Sequence, residues 1–331
     1  MGSQRMLVPL VAALIGVMTP AAASAAPPSR GPDATQLVTG LAGGSGSTVG
    51  PDHALYVTEG EAGRISRVDP QTGEVTTFAS GLPKRLFGIS GADDVAFIGK
   101  TAYALVTLVG PDVGGHDIVG IYRVDDPDSF TVVADIGAFS ISHPPPTEFF
   151  VPTGVQYALE PYRGGFLVTD GHHNRVLRVT LDGGVSEFNV FDNIVPTGLA
   201  VRGNTVYMAE AGPVPHGPED GKVVAFTAKS LALTQIASGA PLLVDVEFGR
   251  GRDLYALSQG LFGGGPAGSP ALPNTGSLVK VNRNGTFTTV MEGIDRPSSL
   301  EFIGNTAYVV TLTGDIWKFE NVSGPPHGRS R

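Results

Sequence analysis

The chain has 331 residues, of which 46 are glycine and 26 proline, with 41% hydrophobic and only 16% charged residues; this is the composition of many short strands and turns. A formal charge of −9 without a basic cluster argues against nucleic acid and anionic membrane surfaces as partners. The absence of cysteine excludes disulfides, thiolate catalysis, thiolate metal ligands and a lipid-modified cysteine anchor.

Residues 1–25 read as a secretory signal: Arg5, an apolar run from Met6 to Val17, then small residues from Ala21 to Ala26, with Ala23-Ser24-Ala25 marking cleavage after Ala25. The run is too short for a retained spanning helix, and no later stretch is apolar and long enough. The expected product is a secreted chain with no transmembrane anchor after cleavage. Residues 26–33 are a linker.

From 34 to 322 runs a repeat of about fifty residues. Each copy centres on a short strand anchored at Tyr56, Tyr103, Leu167, Tyr207, Tyr255 or Tyr308. A tight turn and another apolar strand precede the anchor, as in 198–201 before Gly203-Asn204, and a third and fourth strand follow it. Six copies of four strands predict an all-β fold, a six-bladed β-propeller. The sixth copy stops after its third strand at Phe319, and 34–41 matches the fourth-strand segments 75–82 and 287–294. The mature N-terminal strand is therefore expected to complete the last blade and close the ring, leaving 323–331 as a disordered tail.

Loop length separates two faces of the disc. Turns from first to second strands are tight, whereas second-to-third connections include 107–117, 171–174, 211–221 and a Gly/Pro/Ser-rich stretch from 259 to 276. Long loops on a rigid scaffold favour a binding site on that face. Glu59, Asp170 and Glu210 each stand three residues after an anchor and form an expected ring, with Asp94 and Asp245 near the start of first strands. Converging carboxylates suit calcium, so Glu59, Asp170 and Glu210 are candidate metal ligands. The alternative is that they accept hydrogen bonds from loop amides or pair with arginines. His172, Glu210 and His216 are the catalytic candidates, since a histidine near carboxylates can act as general base. Glu59, Asp170, His173, Asn174, Asp94 and Asp245 are the candidate ligand-binding residues.

The phrases Leu37-Val38-Thr39-Gly40-Leu41, Gly50-Pro51-Asp52-His53-Ala54-Leu55-Tyr56-Val57-Thr58-Glu59, Val151-Pro152-Thr153-Gly154-Val155 and Val195-Pro196-Thr197-Gly198-Leu199 resemble the ScyD/ScyE family of exported proteins, over roughly residues 34–322. The chain is also similar to the wider NHL and gluconolactonase-like six-bladed propellers. The first resemblance implies an exported propeller; the lack of a catalytic signature and the Gly/Pro-rich loop from 259 to 276 point to a ligand-binding or assembly module, expected to be a monomer that receives a small molecule or another protein at the long-loop face. The second implies a calcium-dependent hydrolase or lyase acting on a lactone or cyclic ester. Streptogramin lyases, which are similar in their Gly-Pro-Asp and Thr-Glu phrases, use histidine and glutamate in the channel; here the pairs that resemblance offers are Glu210 with His216, or Asp170 with His172.

Overall fold

Short strands dominate the computed structural model, which describes residues 33–147, 151–266 and 268–324. The expected signal segment and most of the linker lie outside the described residues. After β1 (Asp33–Val38), the first blade comprises β2 (Gly44–Val49), β3 (Leu55–Glu59), β4 (Arg64–Val68) and β5 (Val75–Ser80), and the second β6 (Gly91–Ile98), β7 (Thr101–Thr107), β8 (Gly120–Asp126) and β9 (Ser129–Asp135). A helix, α1 (Ile136–Ser142), leads into the third blade, β10 (Gln156–Tyr162), β11 (Gly165–Asp170), β12 (Arg175–Thr180) and β13 (Val185–Val190). The fourth is β14 (Pro196–Arg202), β15 (Thr205–Glu210), β16 (Gly221–Thr227) and β17 (Ser230–Ala240). The fifth is β18 (Leu243–Phe248), β19 (Leu254–Ser258), β20 (Gly276–Val281) and β21 (Phe287–Ile294), and the sixth contains β22 (Pro297–Ile303), β23 (Thr306–Thr311) and β24 (Ile316–Glu320).

Each blade is an antiparallel four-stranded sheet, and the six innermost strands touch one another in cyclic order, β22 meeting β2. The fold is a six-bladed β-propeller. The outermost strand beside β24 is β1, with Asp33 opposite Glu320 and Gln36 opposite Trp317.

Local sequence accounts for this arrangement. Second strands are buried along their whole length, as in Leu55–Glu59, Gly165–Asp170 and Leu254–Ser258, so they read as short apolar runs that close on a polar residue. Fourth strands are largely exposed, as in Val75–Ser80. Arg163 and Gly164, at φ 44° and 73°, form a two-residue hairpin whose left-handed pair matches strand twist.

Six apolar clusters occupy the six seams between blades. The anchor tyrosines pack there: Tyr56 meets Phe97 edge-on at 4.8 Å, Tyr103 meets Phe166 at 5.0 Å, Tyr207 meets Phe248 at 5.1 Å and Tyr255 meets Phe302 at 4.9 Å. Hydroxyls stitch the same seams, with Thr58 Oγ1 donating to Asp93 O at 2.9 Å, Thr169 Oγ1 to Thr197 O at 2.7 Å and Thr197 Oγ1 to Leu243 O at 2.8 Å.

Two details depart from the sequence reading. Helix α1 is capped by Asp135, whose side chain accepts from Ala138 N at 2.7 Å, and it brings Ser140 into the seam before blade three. Ser323, assigned to the tail, is buried, and its Oγ accepts from Arg250 N at 3.0 Å.

Candidate functional site

Glu59, Asp170 and Glu210 occupy equivalent positions at the ends of second strands, each opposite the first residue of the third strand or its neighbour: Arg64, Arg175 and Lys222. In the first blade Arg64 donates through Nε to Glu59 Oε1 at 2.7 Å and through Nη2 to Oε2 at 2.8 Å, while Ala42 N at 2.6 Å and the Ser66 hydroxyl complete the shell. These donors hold the Glu59 carboxyl below its ordinary value against the opposing effect of burial.

Asp170 is equally engaged. Arg175 Nε donates to Oδ2 at 2.9 Å, and Val155 N and Gln156 Nε2 donate to Oδ1 at 3.1 and 3.2 Å. Arg175, completely buried, also donates to His143 O, Glu187 and Ser140 Oγ at 2.7, 3.0 and 2.9 Å. In the fourth blade a lysine replaces the arginine. Glu210 is 2% exposed and its Oε1 has no hydrogen-bond partner. Burial raises its carboxyl to about 7, with the Lys222 charge opposing.

The three carboxylates thus diverge in role. Glu59 and Asp170 would have to release arginines to ligate a cation, and among the described residues no three His, Asp or Glu side chains come together as a metal group. The donor set expected for calcium does not fit that ion as it stands.

The histidines cluster at the long-loop face. His172 is buried, its Nε2 lies 3.1 Å from Tyr157 Oη, and burial, reinforced by neighbouring His216, lowers its pKa to about 4. It is neutral at physiological pH. His172 and Ser269 are the polar side chains lining a 250 Å³ cavity otherwise walled by Phe87, Ile89, Leu108, Val151, Val155 and Pro270. His216 is half-buried against Phe262, ring centres 5.5 Å apart, with Nδ1 unpartnered and its pKa lowered by burial.

His173 and Asn174 serve the loop itself. His173 Nε2 lies 2.9 Å from Val151 O and its Nδ1 3.1 Å from Asp170 Oδ2. Asn174, at φ 54°, accepts from both Ile194 N and Val195 N at 2.9 Å through Oδ1.

Asp94 and Asp245 line the axial channel. Each belongs to a first strand whose register shifts just before it, a bulge shared by all six inner strands. Asp94 Oδ2 accepts from Leu159 N and Asp245 Oδ2 from Leu300 N, both at 2.7 Å, so each clasps the next blade. An 80 Å³ cavity above them includes Asp93, Tyr157, Gln259 and Ser299. Below, the channel holds Glu160, Glu247 and Glu301, which the sequence reading passed over. Their signal was present: each glutamate stands between apolar residues in an inner strand, and each pairs with an anchor, Leu167, Tyr255 or Tyr308.

No protein-family model and no curated protein matches this sequence. Solved structures do. A gluconolactonase of Xanthomonas campestris is 14% identical, with a TM-score of 0.60 over 87% of this chain and 89% of that one. Virginiamycin B lyase from Staphylococcus aureus is 15% identical, with a TM-score of 0.53 over 87% and 98%. The PQQ-bound aldose sugar dehydrogenase of Streptomyces coelicolor is 15% identical, with a TM-score of 0.58 over 89% and 99%. What this chain shares with its gluconolactonase-like neighbours is the fold, a six-bladed β-propeller.

Proposed function

We propose that this protein is an exported, ScyD/ScyE-type propeller that binds a small, largely apolar molecule at the long-loop mouth of its channel. The 250 Å³ cavity carries the reading: apolar walls from four loops surround one neutral histidine, held by Tyr157. Concave apolar sites with a few placed polar groups are the usual form of ligand pockets. A neutral imidazole offers one donor or acceptor without the cost of burying a charge. Export is supported by the signal-like segment 1–25.

The test is a thermal-shift screen of neutral aromatic and lactone-ring compounds against wild type and Ile89→Trp, which fills the cavity. A ligand at about 100 times its Kd stabilises the fold by about 2.7 kcal/mol. At least one compound should raise the wild-type Tm and leave Ile89→Trp unmoved. If every stabilising compound acts equally on both proteins, the site is elsewhere.

A second reading, lactone or cyclic-ester opening, draws on Glu210, whose buried carboxyl is poised near neutrality beside the loop bearing His216. Its neighbours in fold include gluconolactonases and a virginiamycin lyase. It predicts turnover of such esters by wild type that falls in both Glu210→Gln and His172→Ala.

A further inference from the structure

Beneath the Asp94 and Asp245 clasps, a 60 Å³ chamber and a 310 Å³ vestibule on the short-turn face share the walls Thr48, Glu160, Glu247 and Glu301. Glu247 and Glu301 occupy the same level on adjacent inner strands, opposite the anchors Tyr255 and Tyr308. We propose that this half of the axial channel is a pH-sensing element: alkalinisation charges Glu247 and Glu301, which share one channel with no lysine or histidine in its walls, and loosens the seams of the ring.

The surroundings are as follows. Strand β2 presents Ser47 and Thr48, which do not titrate, β6 presents Asp94, and β10 presents Glu160. From β18 comes Asp245, and from β14 the rim residue Arg202, whose charge favours ionisation of Glu247 but whose guanidinium lies over the Phe248 ring at 4.1 Å. Three of the carboxylates are spoken for as clasps: Asp94 to Leu159 N, Asp245 to Leu300 N, and Glu160 Oε1 to Val201 N at 3.1 Å, each joining one blade to the next. New charge on Glu247 and Glu301 develops beside those clasps, in a space where like charges are poorly screened.

The titration behaviour agrees in sign. Burial, then the charge of Asp245, raises Glu247, and burial, then the charges of Glu247, Asp245, Asp94 and Glu160, raises Glu301 well above the ordinary 4.5. The unfolded chain ionises near that ordinary value while the folded ring keeps its protons. Stability therefore falls as pH rises from the unfolded value through the folded one, and levels off above it.

The test melts the full chain from about pH 5 to about pH 9, as wild type, Glu247→Gln, Glu301→Gln and Glu292→Gln, the last altering an exposed carboxylate on the outer strand β21. Wild type and Glu292→Gln should lose Tm as pH rises. Either channel variant should flatten that slope and melt about 2 °C or more above wild type at the alkaline end. A protonated-carboxyl infrared band in wild type near neutral pH, weakened in the channel variants, is the second readout, and wild type alone reports it if a variant fails to fold. A wild-type Tm independent of pH, a Glu301→Gln slope equal to that of wild type, or absence of the infrared band overturns the proposal.

Discussion

Replacing Arg175 by methionine removes a guanidinium of 0% exposure that donates to Asp170, Ser140, Glu187 and the carbonyl of His143. Methionine fills much of the volume, so the loss is chiefly electrostatic: Asp170 keeps its bonds from Val155 N and Gln156 Nε2 and its contact with His173 Nδ1 at 3.1 Å, but loses the arginine that balances its charge. Breaking a buried pair by removing one partner costs about 3–5 kcal/mol. For a domain of this size that lowers Tm by roughly 5–8 °C. The double variant Arg175→Met/Asp170→Asn removes the stranded charge and should recover about half of the loss, because neutral pairs can substitute for buried ions. Calorimetry at neutral pH measures both. If Arg175→Met costs less than about 1 kcal/mol, or if the two substitutions are simply additive, Arg175 does not lock the third blade as described.

Lys222→Arg gives the fourth blade the arginine that serves Glu59 and Asp170. The raised carboxyl of Glu210, at about 7 against an ordinary 4.5, corresponds to about 3 kcal/mol lost as pH climbs through that window, so the variant should be more stable than wild type at pH 8 and no different at pH 4 when assayed by chemical denaturation. Deleting residues 33–38 strips the strand beside β24 and uncovers Trp317, the chain's single tryptophan, which faces Gln36 across the ladder. Its fluorescence should shift to the red and Tm should fall, and an unchanged spectrum would mean that the strand is dispensable to the last blade.

The legible part of the molecule was the part governed by local period. The anchors Tyr56, Tyr103, Tyr207, Tyr255 and Tyr308 repeat because every seam needs the same filling, so their spacing disclosed blade number before any contact was known. Helix α1 was invisible because seven residues give too little periodicity, and its start depends on a single capping aspartate. For the carboxylates, chain position told where they stand but not what faces them. Glu59 and Asp170 were expected to hold a ligand, and in the structure each is paired with an arginine five residues on, whereas Glu210 faces Lys222 across a longer loop. Glu160, Glu247 and Glu301 went unnoticed because an acidic residue on an alternating strand reads as solvent-facing, whereas on an inner strand of a propeller the polar side looks onto the axis.

The lateral pairing of β1 with β24 places Asp33 opposite Glu320, so the two ends of the described ring lie side by side in one sheet. Topologically the ring has no privileged starting blade. A short linker across that pair, with new ends opened at the exposed Asp182–Gly183 turn between β12 and β13, would give a circular permutant in which every blade is drawn from contiguous sequence except the one that carries the cut. In such a permutant the join now made by hydrogen bonds alone in the sixth blade would be covalent, and the vulnerable joint would move to the third, where Arg175 already ties the sheet to α1.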